Sequence, residues 1–302
     1  MVQYVKSCSG SPLNLTEKIF QYTNVVVCRA AFGTKFKDEL GVVSLINEGV
    51  ALAGGFDVAD LFPSWRFLRL LTGMEPTLRK LRRRTDQIIE QHRQKRKVDG
   101  FCDEDIVDVL LRLHEQGGFN FPITTDNIKA VIQDIFTAGT ETSASTTEWA
   151  MSEMLRNPGV MEKAQAELRE VMKGKHKIQE SDVKELKYLR MVIKETLRDP
   201  DHWKDPESFK LERFSIRDNN EIMEYMVGGQ NMEFVLFGGG RRVCPGIAFG
   251  LANVELPLAN LLYHFSWNLP HGTKPADVDM TEGFGSTSKK KNNLFLIATP
   301  TT

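Results

Sequence analysis

A long amphipathic helix is the feature of this sequence that most restricts its fold. Apolar residues recur at the spacing i, i+3, i+4, i+7 and i+8, at Ile128, Val131, Ile132, Ile135 and Phe136. This spacing is typical of one buried face of an α-helix. The pattern begins at Thr125, the expected N-cap, and ends before Asn157–Pro158. At about 1.5 Å per residue the helix would be about 45 Å long, so we expect it to cross the core of a domain.

Helical patterns also dominate the rest of the chain. We predict further helices over 11–32, 77–97, 104–116, 160–171, 184–198 and 247–265, and a strand over 294–298. Hydrophobic residues make up 41% and charged residues 26% of the 302 residues, which excludes a disordered tail, a collagen and a membrane bundle. The sequence therefore predicts a mainly α fold with a small β portion.

The charge balance gives no general attraction to nucleic acid or anionic lipid. Lys and Arg number 39 against 40 Asp and Glu, a net charge of -1. We interpret the basic run Arg79–Arg84 as a solvated helix face rather than a nucleic-acid patch. No stretch approaches the about 20 apolar residues of a membrane span, and the start has no signal-peptide pattern. As written, the chain is expected to be soluble.

The segment F-G-G-G-R-R-V-C-P-G, from Phe237 to Gly246, is the strongest candidate for chemistry. Cys244 precedes a predicted helix, whose positive N-terminal end favours a thiolate. The glycines allow the backbone to approach a flat or bulky partner. From the residues alone, a reactive thiolate facing a bound group and an ordinary cysteine in a tight turn remain equal alternatives. A phosphate loop is a weaker third alternative, because the ending G-K-[ST] is absent.

The segment A-G-T-E-T-S, from Ala138 to Ser143, lies inside the long helix. Gly139 costs about 1 kcal/mol relative to alanine in a helix interior, so its presence needs a reason. Small residues at Ala138 and Gly139 would leave room for a ligand, with the Glu141 carboxyl and the Thr142 hydroxyl beside it. The alternative, a helix kink with polar residues facing water, is favoured by the residues alone.

A possible charge network involves the segment K-E-T-L-R. Glu195 and Arg198 stand at i, i+3 on one predicted helix face and can form a pair. Arg213, in L-E-R-F, is a candidate third member if the intervening loop folds back. The alternative is a surface ion pair worth about a few tenths of a kcal/mol.

Taken together and in this order, the motifs resemble those of the cytochrome P-450 superfamily, the haem-thiolate monooxygenases. The cysteine segment fits F-x-x-G-x-R-x-C-x-G at every fixed position, namely Phe237, Gly240, Arg242, Cys244 and Gly246. The flanking sequences WKDPESFKLERF and GIAFGLANVELPLANLLYHFSW look like those of plant A-type members. They are most similar to family 71, subfamily D, whose members oxidise terpenoids and related small lipophilic compounds. The resemblance covers essentially the whole chain and implies the cytochrome P-450 fold.

The resemblance implies a set of cofactor contacts on the proximal side of haem b. Cys244 would be the metal ligand, a thiolate bound to the haem iron. Arg242 would pair with a haem propionate, and Phe237 would pack near the haem. Gly240 and Gly246 belong to the glycine loop, whose backbone N–H groups would donate hydrogen bonds to the sulfur.

The resemblance also implies roles on the distal side. Thr142 and Glu141 would be the catalytic pair that delivers protons, and Ala138 and Gly139 would form the oxygen groove. A buried network that supports the cysteine loop would consist of Glu195, Arg198 and Arg213. Part of the substrate pocket would be lined by Phe284, Gly285 and Ser286.

The implied activity is the insertion of one oxygen atom from dioxygen into a small lipophilic, terpenoid-like substrate. NADPH would supply the electrons through NADPH-cytochrome reductase, at the endoplasmic reticulum membrane. We expect residues 1–302 to be a partial haem domain that lacks the family's N-terminal anchor and first helices. We also expect an internal gap at 198/199, where Arg198 runs directly into Asp199–Pro200. These gaps favour an alternative, a catalytically inactive truncated relative (a splice form, partial gene model or pseudogene product). A weaker third hypothesis is a fragment that inhibits by occupying the reductase.

Overall fold

A computed structural model describes most of the chain. The described residues are 1–33, 62, 64–65, 74–99, 105–117, 121–173, 175, 177–198, 205–206, 208–215, 236–270, 272–283 and 287–301. Their α-helices are α1 (Val2–Ser7), α2 (Leu15–Phe32), α3 (Met74–Asp99), α4 (Ile106–Gln116), α5 (Thr125–Arg156), α6 (Pro158–Val171), α7 (Glu180–Val183), α8 (Lys187–Thr196), α9 (Glu212–Ser215) and α10 (Ile247–His264). The predicted mainly α fold is confirmed. Among the described helices, none is both long enough and apolar enough to cross a bilayer.

The β portion is small, as predicted. The strands are β1 (Pro12–Asn14), β2 (Phe265–Asn268), β3 (Glu282–Gly283), β4 (Lys289–Lys290) and β5 (Phe295–Pro300). One antiparallel sheet has the order β1-β5-β2, with Leu13 opposite Leu296 and Trp267 opposite Ala298. Strands β3 and β4 form a second, two-stranded sheet.

Several helix boundaries differ from the prediction, for example Lys187–Thr196 instead of 184–198, and at two of them the cause is strand pairing. The first long helix begins at Leu15 rather than Ser11, because Pro12–Asn14 is extended and pairs with β5. Helix α10 ends at His264, one residue before the predicted end, because Phe265 begins β2. In both places strand pairing determines the backbone conformation, and local sequence signals over a short segment do not distinguish a helix end from a strand.

Helix α5 has the predicted length and ends at Arg156, before Asn157–Pro158. Its N-cap is Thr124 rather than Thr125, since the Thr124 hydroxyl accepts the N–H of Asn127 at 3.2 Å. The Asn127 side chain in turn accepts the N–H of Thr124 at 2.9 Å. These two bonds satisfy N–H groups that the first helical turn leaves without partners.

The chain divides into two compact units, and each is described by itself. The first comprises Met1–Ile19, Ser143–Thr281 and Lys290–Thr302, and the second comprises Phe20–Thr142 and Glu282–Lys289. The proposal of one partial haem domain over 1–302 stays a prediction.

The core of the first unit is built around α10. Leu258, Leu261 and Leu262 are fully buried. The Gln165 side-chain amide of α6 donates to the Leu262 carbonyl at 3.2 Å and to the Phe265 carbonyl at 3.0 Å. These bonds satisfy carbonyl groups at the end of α10 that lack partners within the helix, and they fix the point at which the helix becomes a strand.

The core of the second unit joins α2, α3, α4 and the first half of α5. Its buried members are Val27, Cys28, Ala31, Phe32, Ile88, Ile89, Val107, Leu111, Ile128, Ile132 and Phe136. The rings of Phe32 and Phe136 lie 5.6 Å apart. Of the predicted apolar face of α5, Val131 is 37% exposed and takes no part in this core.

A buried ion pair connects α3 and α4 in the second unit. The Asp105 carboxylate caps α4 by accepting the N–H of Asp108 at 3.0 Å. Its other oxygen lies 3.1 Å from Nε2 of His92, whose Nδ1 lies 2.7 Å from the Ile88 carbonyl oxygen. Burial favours the neutral imidazole, but these two hydrogen bonds and the charges of Asp105 and Asp108 outweigh it and raise the pKa of His92. Burial alone would raise the pKa of the Asp105 carboxyl, but the hydrogen bonds to His92 and Asp108 outweigh it and lower this pKa.

The second unit is therefore expected to lose stability as the pH rises above neutral. The raised pKa of His92 stabilises the fold fully below the unfolded pKa of about 6.5, and this is lost as the pH passes the folded pKa. Asp105, with its lowered pKa, stabilises the fold above about pH 4. Urea unfolding followed by circular dichroism should give a smaller free energy of unfolding at pH 9 than at pH 6.

Two histidine variants test whether His92 is the responsible group. His92→Gln should flatten the pH dependence of the free energy of unfolding between pH 6 and 9. His114→Gln is the matched control, because His114 is also in the second unit and contacts a backbone carbonyl, that of Ile123. An unchanged slope in His92→Gln would contradict the assignment.

Candidate active site

The glycine-rich loop folds back on itself before α10. Gly238 and Gly240 have φ angles of 72° and 65°, in the left-handed region where side chains are unfavourable. A short 3₁₀ turn follows at Gly240–Arg242. The N–H of Cys244 then donates to the Phe237 carbonyl at 2.8 Å. This bond closes the loop and fixes the position from which the cysteine side chain projects.

Cys244 is a free, half-buried cysteine three residues before the start of α10. A Cβ atom at Gly246 would lie 3.9 Å from the Cys244 sulfur, so the backbone passes close to the thiol. Cys244 thus lies directly before the N-terminal end of α10, where N–H groups have no partner within the helix. The role of Cys244 as a thiolate ligand stays a prediction.

The loop presents chemistry that fits haem. A thiolate is a known axial ligand of haem iron, and a guanidinium pairs strongly with a carboxylate such as a propionate. Arg242 is exposed and forms no ion pair with any other residue in the described part of the chain. Cβ atoms at Gly239 and Gly240 would meet no neighbour within 4 Å, so this face of the loop is open to a flat ligand.

Glu195 on α8 joins Arg198 and Arg213 in one buried network in the same unit. Its Oε1 lies 2.7 Å from Nε of Arg198 and 3.4 Å from Nε of Arg213. It also accepts the N–H of Lys210 at 3.0 Å. Burial raises the pKa of the Glu195 carboxyl, and the Lys210 N–H and the two guanidinium groups counter this rise.

The two arginines also hold the segment before α9. Arg213 donates to the carbonyls of Asp205 and Ser208 at 2.7 and 3.1 Å, and Arg198 donates to the Pro206 carbonyl. Since these partners are backbone groups, the network fixes the path of the loop that leads to α9. The segment therefore folds back onto α8, as the candidate role of Arg213 requires.

An ion pair connects α8 to the helix that follows the cysteine loop. Nε of Arg190 lies 3.2 Å from Oε1 of Glu255 on α10. Burial raises the pKa of the Glu255 carboxyl and Arg190 opposes this rise. The helix that carries Glu195 is thus tied to the helix that begins next to Cys244.

Residues 138–142 of α5 lie in the second unit. A Cβ at Gly139 would lie 3.2 Å from Cγ2 of Val27, so this glycine allows α2 to approach α5 closely. Ala138 is exposed. The Thr142 hydroxyl donates to the Ala138 carbonyl at 2.6 Å, a bond to the preceding turn that bends helices slightly.

Glu141 is almost fully buried, with 1% of its surface exposed. Its Oε1 accepts the Thr287 hydroxyl at 2.8 Å and lies 3.7 Å from Nζ of Lys289. Its Oε2 is buried and has no hydrogen-bond partner among the described residues. Sequence reasoning missed both Thr287 and Lys289, because nothing in their spacing relates them to a residue almost half the chain away.

The predicted site residues are thus distributed over the two units. The first holds the cysteine loop and the Glu195 network, and the second holds residues 138–142. The predicted substrate-pocket residues Phe284, Gly285 and Ser286 lie outside the described residues.

Comparison with known proteins gives consistent sequence matches. The cytochrome P-450 family model matches residues 1–198 and 197–295, and these two stretches meet at the expected internal gap. Premnaspirodiene oxygenase from Hyoscyamus muticus is 47% identical, covering 99% of this chain and 68% of the relative. Melianol synthase from Melia azedarach is 43% identical, with 99% and 68% covered. The first alignment extends over 347 positions, so that relative has residues with no counterpart among the 302 of this chain.

The fold also matches a solved structure. A zebra fish cytochrome P-450 determined with abiraterone has a TM-score of 0.78 over 100% of this chain and 75% of its own, at 22% identity. This likeness shows the fold, and the family match and the relatives show the descent. The cysteine loop, the mainly α fold and these matches establish that the chain belongs to the cytochrome P-450 family, the haem-dependent monooxygenases, and to its plant family 71 branch.

Proposed function

We propose that this chain is a haem-thiolate monooxygenase that oxidises a small lipophilic, terpenoid-like substrate. The observation that carries the proposal is the free thiol of Cys244, held in a closed glycine loop next to the start of α10. When bound there, haem would supply the activation of dioxygen and the transfer of one oxygen atom to the substrate. The electrons would come from NADPH through NADPH-cytochrome reductase at the endoplasmic reticulum membrane.

On the proximal side, we assign the cofactor contacts to the loop. Cys244 would ligate the iron through its sulfur, and Arg242 would pair with a propionate. Phe237 would pack against the ring while its carbonyl accepts the Cys244 N–H. Gly240 and Gly246 would allow the backbone to approach the ring and the sulfur, since neither has a side chain that would intervene.

On the distal side, we assign proton delivery to Glu141 and Thr142, next to the groove residues Ala138 and Gly139. The buried carboxyl of Glu141 can hold a proton at Oε2, the oxygen without a hydrogen-bond partner among the described residues. The Thr142 hydroxyl, which donates to Ala138, can accept a second hydrogen bond and relay a proton. Gly139 contributes through the close packing of α2 against α5 at Val27.

The buried Glu195, Arg198 and Arg213 would support the cysteine loop indirectly. They fix the loop before α9, while Arg190 and Glu255 tie α8 to α10. In this proposal they are positioning residues that keep the N-terminal end of α10 in place. Phe284, Gly285 and Ser286 remain the proposed substrate-contact residues.

The proposed substrate class rests on the relatives. Premnaspirodiene oxygenase and melianol synthase are named for the compounds they act on or make. Identities of 43–47% over nearly the whole chain support a substrate of similar lipophilic character. Premnaspirodiene is therefore the first compound to supply in a turnover assay with NADPH and a plant reductase.

The reduced carbon-monoxide difference spectrum of the purified, haem-supplemented protein tests the proposal. We expect the Soret band of thiolate-ligated haem, because the Cys244 loop is closed and its thiol is free. Failure to take up haem, or a band typical of haem without a thiolate ligand, would overturn the proposal. It would leave the alternative, a catalytically inactive truncated relative.

A further inference from the structure

We propose that Thr287 and Lys289 are positioning residues that hold the Glu141 carboxyl with Oε1 anchored and Oε2 available for proton transfer. The inference concerns this chain's own contacts and deepens the proposed function, on which its catalytic consequence rests. All three residues belong to the second unit.

The two anchoring residues differ in kind but converge on one oxygen atom. The Thr287 hydroxyl donates a hydrogen bond to Oε1 at 2.8 Å, and Nζ of Lys289 lies 3.7 Å from the same atom. Glu141 is 1% exposed, whereas the Lys289 side chain is 27% exposed. The lysine therefore supplies a partly hydrated positive charge, and the threonine supplies the short directional contact.

A tight turn explains why both side chains reach the same atom. The N–H of Lys289 donates to the Thr287 carbonyl at 3.0 Å, a bond between residues i and i+2 that defines a three-residue turn. The turn places the two side chains side by side at the start of β4. The next residue, Lys290, extends elsewhere, with Nζ 4.9 Å from the Trp149 ring centre.

The asymmetry of the two carboxyl oxygens gives these contacts a functional meaning. A buried carboxylate is costly unless it is hydrogen-bonded or paired, and here only Oε1 is so satisfied by the described residues. With Oε1 fixed, rotation about the last side-chain bond is restricted, so Oε2 keeps one direction. A positioned acid contributes to catalysis only when it lies within hydrogen-bond reach of the group that receives its proton.

Infrared spectroscopy can test the contact in the purified chain, with or without haem. The carboxyl band of Glu141 is identified as the band that disappears in Glu141→Gln. Thr287→Val removes the hydroxyl at nearly constant volume and should shift this band, and Thr287→Ser should restore its position. Thr281→Val is the matched control, because that hydroxyl donates to Asp279 instead, at 2.6 Å.

The position of the Glu141 band decides the inference independently of catalytic activity. A band that stays in place in Thr287→Val would overturn the inference, whatever the protein's catalytic state. If Thr287→Val fails to fold by circular dichroism, Lys289→Gln takes its place, with a smaller shift expected because its charge lies farther from Oε1. An unshifted band in that variant would overturn the inference equally.

The haem-loaded protein provides the catalytic test. Thr287→Val should lower product formed per NADPH consumed by about tenfold, part of the 10²–10⁴-fold that a positioned acid contributes. KM should stay unchanged, and Thr287→Ser should recover most of the loss. Equal product yields for Thr287→Val and the parent protein would overturn the inference while leaving the proposed function intact. A protein without haem uptake would overturn the proposed function, and the infrared test would still decide the contact.

Discussion

Replacing Cys244 with alanine is expected to abolish the Soret band of thiolate-ligated haem in the reduced carbon-monoxide difference spectrum. Among the described residues the two other cysteines lie outside the loop, since Cys8 follows α1 and Cys28 lies within α2. The cysteine loop itself should survive, since its closing bond joins the Cys244 N–H to the Phe237 carbonyl and involves no side chain. Circular dichroism should therefore show an unchanged helix content.

Cys8→Ala is the matched control for this experiment. Cys8 is also a free, half-buried cysteine of the first unit, so the same chemical change is made away from the loop. This variant should keep the full thiolate-type band. Persistence of the band in Cys244→Ala, or its loss in Cys8→Ala, would contradict the assignment of the thiolate ligand to Cys244.

Replacing Glu195 with alanine is expected to lower the free energy of unfolding by about 3–5 kcal/mol, the usual cost of breaking a buried ion pair from one side. The change removes the carboxylate that pairs with the guanidinium groups of Arg198 and Arg213, whose side chains are only 12% and 10% exposed. It also removes the acceptor of the Lys210 N–H. Urea unfolding at neutral pH measures the loss.

Two further variants separate charge from general damage. Glu195→Gln keeps an acceptor for the Lys210 N–H, so its free energy of unfolding should lie between those of the parent protein and Glu195→Ala. Glu17→Ala removes an exposed carboxylate of the same unit, 3.8 Å from Lys18, and should cost less than about 1 kcal/mol. If both Glu195→Ala and Glu17→Ala lose the same free energy of unfolding, the buried network contributes no more to stability than the exposed Glu17 carboxylate.

Local features of the site could be predicted from the sequence, and long-range contacts could not. The cysteine loop is specified by neighbouring residues, because its left-handed positions require glycine at Gly238 and Gly240. The Glu195 and Arg198 pair follows from helical spacing. In contrast, the approach of Val27 to Gly139 and the bond from Thr287 to Glu141 join distant segments. No local pattern reports such contacts, since they depend on how the elements pack.

The helix boundaries illustrate the same limit. We predict a helix from Ser11 because Ser11 before Pro12 is a candidate cap, yet Pro12–Asn14 is extended because β5 pairs with it. Proline is tolerated in a strand at the edge of a sheet, and β1 is an edge strand in the order β1-β5-β2. The pairing strand β5 is far from β1 in the sequence, so periodicity within residues 11–32 cannot indicate the pairing.

That pairing bears on how the protein folds during its synthesis. Leu13 of β1 pairs with Leu296 of β5, so β1 lacks this partner until the much later β5 segment has left the ribosome. At about 5–20 residues per second, translation would keep β1 waiting for roughly tens of seconds. During that interval its unpaired edge is exposed to other chains. The nascent chain should therefore depend on chaperones more strongly during synthesis than the fully synthesised chain does when it refolds.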